Sequence, residues 1–169
     1  LYVSSFNSDQ VLRYGADGAF DGVAVAAGAG GLDGPDIGLT FDGDGALLVP
    51  SWYSDQVLRF DAATGALLGE VLGPDDGLAR PRGIVVADDG GMWVSGWASG
   101  VHRVAPDGTV TLLVAGAAAG MVHDGAALLV ATDEELVRAF DPATGADLGV
   151  RAQRPLIDGI TAVGLLSLP

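Results

Sequence analysis

One stretch of this chain occurs twice, almost letter for letter, and the copies lie 46 residues apart. Tyr2–Tyr14 answers Leu48–Phe60, with Ser-Asp-Gln-Val-Leu-Arg identical in both. A second copy follows 80 residues after Phe60, where Phe140-Asp141-Pro142-Ala143-Thr144-Gly145-Ala146-Asp147-Leu148-Gly149 answers Phe60–Gly69. Repeats of this length point to units that each bury one face against the next.

Each unit offers four short apolar runs separated by Gly/Asp turns, with no helical period between them, which is the pattern of successive β-hairpins. The second unit predicts strands over Ile37–Phe41, Ala46–Trp52, Gln56–Phe60 and Ala66–Leu72. The third predicts Gly83–Ala87, Met92–Trp97, Val101–Ala105 and Thr109–Val114. The fourth predicts Gly120–His123, Ala127–Ala131, Leu136–Phe140 and Asp147–Arg151. The first unit lacks an opening strand: Leu1–Phe6 already matches a second strand, and Gln10–Tyr14 and Ala19–Ala26 follow.

The missing strand has a counterpart at the far end, Asp158–Val163, which would close the first blade and hide two sheet edges. The reading is therefore all-β. It is a β-propeller of four-stranded antiparallel blades, about four in this chain: residues 1–27 with 158–168, then 36–73, 83–115 and 120–152. Leu1 falls inside a strand, and Gly164–Pro169 reads as a poor start to another. An excised piece of a larger ring, or two chains completing one, therefore stays open beside the closed four-bladed form. A β-sandwich also alternates, but it does not require so regular a repeat.

Charge narrows the partners. Nineteen Asp and three Glu face eight Arg and no Lys, a net charge of −14. Such a surface repels nucleic-acid phosphates and anionic lipids. No apolar run approaches the roughly 20 residues of a membrane-spanning helix. There is no Cys, hence no disulfide framework and no thiolate metal site.

In this pattern the hairpin turns within blades fall on one face of the ring. They hold most of the Asp residues, including Asp42 and Asp44, which read as turn supports rather than a calcium loop. The other face carries Phe6-Asn7-Ser8-Asp9, Trp52-Tyr53-Ser54-Asp55, Trp97-Ala98-Ser99-Gly100 and Thr132-Asp133-Glu134-Glu135, with Asp36, Arg80, Arg82 and Asp158 between blades. Asn7, Trp52, Tyr53, Arg82, Trp97 and Asp133 are the ligand-binding candidates, since aromatic and small polar groups around an axis suit a small molecule, carbohydrate or peptide. Packing between neighbouring blades is the favoured reading of Trp52 and Trp97, with Tyr53 as the more exposed member. The repeated Ser-Asp-Gln reads as a tie from the loop to the following strand. His123 beside Asp124 is the catalytic candidate, a His–Asp pair that could orient a general base.

The unit Gly83–Ser95 and the stretch Leu1–Tyr14 resemble NHL-type propeller repeats, and Ser4–Tyr14 is similar to repeats of exported bacterial propellers. That resemblance implies an extracytoplasmic location. Gluconolactonase-like propellers hold a divalent metal on the axis through a Glu, an Asn and an Asp. Leu156-Ile157-Asp158-Gly159-Ile160 resembles their Asp-Gly element, which implies a calcium or magnesium ion at Asp158, with Asp36 nearby. Their Pro-Asn-Gly element stands here as Pro81-Arg82-Gly83, with Arg in a ligand's place. Streptogramin lyase-like propellers use two His and a Glu, for which His102, His123 and Glu134 or Glu135 are a loose match. The Asp-Ala-Ala-Thr-Gly element resembles quinoprotein repeats, but Gly69 and Gly149 replace their docking Trp, so no quinone is expected.

The expectation is a non-catalytic recognition or scaffold propeller without a cofactor. The alternative is a metal-dependent hydrolase or lactonase with its site on the axis, and the third is a purely structural segment of a longer propeller.

Overall fold

The computed structural model describes residues 1–132, 134 and 136–153. Among the described residues, fifteen strands form four antiparallel sheets that follow one another along the chain. The first sheet is β1 (Tyr2–Ser5), β2 (Gln10–Tyr14) and β3 (Phe20–Val25). The second is β4 (Thr40–Phe41), β5 (Leu47–Ser51), β6 (Gln56–Phe60) and β7 (Leu67–Leu72). The third is β8 (Pro81–Val86), β9 (Met92–Gly96), β10 (Gly100–Val104) and β11 (Val110–Val114). The fourth is β12 (Ala118–His123), β13 (Leu128–Thr132), β14 (Leu136–Phe140) and β15 (Asp147–Gln153). In every sheet the strands are hydrogen-bonded in chain order, the meander of a propeller blade.

Period-two alternation sends one set of side chains to the blade before and the other to the blade after. Leu47, Val49, Leu58 and Phe60 of the second blade meet Val11, Ala24 and Val25 of the first. Leu48, Val57 and Leu72 meet Ile84, Met92, Val94 and Val104 of the third. Trp93 and Val101 meet Leu128, Val130 and Phe140 of the fourth. Fully burying side chains of this size is worth roughly 1.5–3 kcal/mol each, so these three contacts are what hold the blades together.

The turn recurring after 80 residues has a packing reason. Asp61 Oδ1 accepts the N–H groups of Ala63 and Thr64 and the Thr64 hydroxyl, at 3.1, 2.7 and 2.8 Å. Asp141 repeats this with Ala143 and Thr144 at 3.0, 2.7 and 2.8 Å. Each turn ends on a left-handed glycine, Gly65 (φ 72°) and Gly145 (φ 70°). A Cβ there would overlap the carbonyl oxygen of Ala24 or Leu113 in the preceding blade. The motif docks one blade's outer turn onto its neighbour.

One expected strand is shorter than its alternation suggested. Of Ile37–Phe41 only Thr40–Phe41 pairs with β5, and Pro35 makes an isolated bridge to Ser51. Between them the Asp36 carboxylate accepts the Ile37 N–H at 2.8 Å, and Ile37 is 58% exposed. Gly38 lies so close to the Arg82 carbonyl that any side chain would collide with it. The chain leaves the ladder to seat Asp36 against the next blade. The proposed closing strand Asp158–Val163 lies outside the described residues, within which the first blade has three strands. No described helix is long and apolar enough to cross a membrane.

Candidate functional site

The face carrying the hairpin turns is occupied by turn chemistry. Asp42 Oδ1 accepts the N–H groups of Asp44 and Ala46 at 3.0 and 2.9 Å, and its Oδ2 accepts Arg59 Nε at 2.5 Å. Burial works to raise the Asp42 carboxyl, but Arg59 and the two N–H donors hold it below the usual carboxylate range. Arg103 with Asp89, at 2.6 Å, is the third blade's counterpart.

The His123–Asp124 pair sits at this rim too. His123 pairs with Leu128 at the turn end of β12, whereas Ala118 pairs with Thr132 at the other end, about 17 Å of strand away. The His123 ring packs on Trp93 with centroids 5.2 Å apart. Asp124 Oδ1 accepts the N–H groups of Ala127 and Ala126, which hold its carboxyl below its ordinary value. The second histidine is elsewhere again. His102 is 2% exposed between the second and third blades, at the register of Leu58, and its Nδ1 has no hydrogen-bond partner. Burial pushes its pKa down. The structure does not gather the histidines at one site.

The opposite face holds the aromatic group. Asp36 and Arg82 each follow a proline whose backbone pairs with the second strand of its blade, Pro35 with Ser51 and Pro81 with Gly96. They stand one 46-residue repeat apart, and Arg82 Nε donates to Asp36 Oδ2 at 2.9 Å. The Asp36 side chain is 8% exposed and that of Arg82 15%. The Arg82 guanidinium lies between two indoles, 5.4 Å from the ring centroid of Trp52 and 5.7 Å from that of Trp97. Arg80, exposed, lies over Trp52 at 5.7 Å. Phe6 packs on Tyr53 with centroids 5.5 Å apart, and Tyr53 is 63% exposed. Phe6, Asp36, Trp52 and Arg82 line a cavity of about 310 Å³. Asn7 is exposed on the short 3₁₀ turn Phe6–Ser8 at this face.

The loops are fixed by a tie the sequence showed only in part. Asp9 and Asp55 both have left-handed backbone, φ 53° and 58°. Asp9 Oδ1 accepts the Gly34 N–H at 2.8 Å and Asp55 Oδ1 the Arg80 N–H at 2.7 Å. Each partner is 25 residues on, in the loop entering the next blade. The repeated Ser-Asp-Gln thus ties blade to blade, one step further than the loop-to-strand tie expected. Gly100 replaces the Asp in the third blade, with φ 87° and no carboxylate.

Among the candidates, Trp52, Trp97, Arg82 and Asp36 meet at one place, Tyr53 stands beside them, and Asn7 lies on the same face. Asp133 and Asp158 lie outside the described residues. The Asp36–Arg82 pairing was not anticipated, although their separation by one whole repeat was the available signal. Both Asp36 oxygens are engaged, by Ile37 N–H and by Arg82, and no three His or carboxylate side chains cluster among the described residues.

Blades in chain order, packed face to face, with an aromatic mouth between their loops, define the class: this is β-propeller architecture. No protein-family model matches the chain, and no curated protein matches it. Solved structures do. It is similar to virginiamycin B lyase from Staphylococcus aureus, with TM-score 0.67 and 14% identity over 85% of this chain and 49% of that one. It is similar to a gluconolactonase from Xanthomonas campestris, with TM-score 0.69 and 21% identity over 95% and 60%. It is also similar to the computationally designed protein Ika8, with TM-score 0.61 and 15% identity over 98% and 52%. At such identities the likeness concerns the fold, and the chain spans about half to three-fifths of these relatives.

Proposed function

We propose that this chain is a non-catalytic recognition propeller, working in an extracytoplasmic setting, whose ligand seat is the aromatic mouth on the axis. The observation that carries this reading is the Asp36–Arg82 pair. The place where an axial metal would need carboxylates and open coordination holds an internal ion pair under two indoles. Indole and phenol faces beside Asn7 and Arg80 offer stacking and a few directional hydrogen bonds. That chemistry suits a sugar ring or an exposed peptide turn. The extracytoplasmic setting rests on the likeness of Ser4–Tyr14 to exported bacterial repeats.

The second reading is a metal-dependent lactonase or hydrolase. In its favour are the gluconolactonases among the similar structures and the carboxylate of Asp36 at the mouth. It needs Asp158 to join Asp36 and Arg82 to withdraw.

Tryptophan fluorescence separates the readings. Oligosaccharides and short peptides are titrated into the full chain and into Trp52→Ala, beside an assay of lactone hydrolysis with added calcium or magnesium. A saturable signal lost in Trp52→Ala, with no metal-stimulated hydrolysis, is the expected result. Metal-stimulated turnover abolished by Asp36→Ala would establish the lactonase instead.

A further inference from the structure

The face that the second blade turns toward the first is built from Leu47, Val49, Leu58 and Phe60, all at 0–1% exposure. Moving back one repeat gives the same positions in the first blade: Leu1, Val3, Leu12 and Tyr14. The residue types are kept, but the cover is not. Leu1 is 76% exposed and Val3 37%, where Leu47 and Val49 are wholly buried. Val3 pairs with Leu12, which is half-buried, so the two form one row across the sheet.

The other end of the described chain has the matching half. The residues that face forward, toward the next blade, are Val11 with Val25, Val57 with Leu72, and Val101 with Val114 in the first three blades. Val11, Val57 and Val101 are all 0% exposed. Their counterparts in the fourth blade are Val137 and Ala152, paired with each other in the same register. Val137 is only half-buried, and Ala152 is exposed. Among the described residues, then, one end has a backward-facing apolar sheet face and the other a forward-facing one. Three internal contacts show that these two kinds of face fit each other.

We propose that a second copy of this chain covers both faces: the first blade of each copy packs on the fourth blade of the other, and two arcs close one ring. End-to-end contacts of this kind close a ring when the rotation per copy divides a full turn, and otherwise run on as a filament. Two arcs of four sheets make eight blades, at the upper end of the usual propeller range. Ika8 matches 98% of this chain with about half of its own length, so one copy fills half of that molecule. The proposal is independent of what the aromatic mouth binds.

Light scattering after gel filtration of the full chain tests it. The expected mass is twice the 16.9 kDa of one chain. Val3→Asp and Ala152→Arg each place a charge on one exposed half of the contact, and each alone is expected to halve the mass with an unchanged circular dichroism spectrum. Val25 and Val49, the counterparts of Ala152 and Val3, share one core cluster, so the new charges would face each other. Mixing the two variants therefore restores the double mass, because one of the two contacts becomes Asp against Arg and the other is wild type. If Val3→Asp does not fold, Leu1→Asp replaces it on the same face, at the register of the buried Leu47. A wild-type mass of one chain, larger open assemblies, a mass indifferent to both substitutions, or a mixture that stays single would overturn the proposal.

Discussion

Asp36 and Arg82 occupy the same position in successive blades and join as an ion pair, with Arg82 Nε 2.9 Å from Asp36 Oδ2. The two copies differ here in a complementary way, a carboxylate in one blade answered by a guanidinium in the next. The pair is nearly closed to solvent and capped by Trp52 and Trp97. It is both an interblade clasp and the floor of the mouth.

Breaking the pair from one side should cost more than removing both partners. Removing one member of a buried pair typically costs about 3–5 kcal/mol, because the other charge is left uncompensated. Urea unfolding of Asp36→Ala, Arg82→Ala and the double variant is the measurement. The double variant is expected to be more stable than the sum of the single losses implies.

Glycines in the repeated turns should differ from glycines in turns that touch nothing. Gly65→Ala and Gly145→Ala combine a left-handed backbone with a collision against the preceding blade. Gly108→Ala, at φ 85°, meets open space. The last should cost about 1–2 kcal/mol from backbone handedness alone, and the first two measurably more, as read from thermal melts.

Losing an interblade tie should loosen the mouth as well as the fold. Asp55→Ala removes the acceptor for the Arg80 N–H and should lower stability by about 1–3 kcal/mol. Asp55→Gly keeps the left-handed backbone without strain, so it isolates the hydrogen bond from the conformation. Indole fluorescence should shift in both variants, because Arg80 lies over Trp52.

His102 makes stability depend on pH on the acid side of neutrality. Burial lowers its folded pKa below the unfolded value of about 6.5. Its contribution is therefore whole above that value and is lost as pH falls toward the folded pKa. Asp61, Asp107 and Asp141 are lowered by hydrogen bonds from Thr64, Thr109 and Thr144, so their contribution stands above about pH 3.9 and is lost below it. Melting temperatures should first decline below about pH 6.5 and fall again below about pH 4. His102→Leu, which restores the residue type of Leu12 and Leu58, should remove the first decline and keep the second.

Much of this architecture was legible in the residues, because a blade repeats whatever its neighbour must fit. The strands Gln10–Tyr14, Gln56–Phe60 and Leu136–Phe140 stand where their alternation places them. Others shift by a residue or two, where turn hydrogen bonds compete with the ladder. Ile37–Leu39 departed from the pattern because Asp36 and the closeness of Gly38 to Arg82 outweigh strand propensity. The mouth was half legible. Its aromatic residues share a register that sequence displays, but the joining of Asp36 to Arg82 depends on how two blades face each other. The His123–Asp124 pair looked chemical as neighbours in sequence. Strand direction puts it at the rim opposite the aromatic mouth, and the Asp124 carboxylate accepts the N–H groups of its own turn.

Calorimetric titration of calcium and of magnesium into the full chain, with Arg82→Ala in parallel, tests the assignment of the mouth most directly. An Arg82 guanidinium held on Asp36 leaves no cation seat, so the expected result is no saturable heat with the wild-type chain. Stoichiometric metal binding by the wild-type chain, abolished by Asp36→Ala, would contradict it.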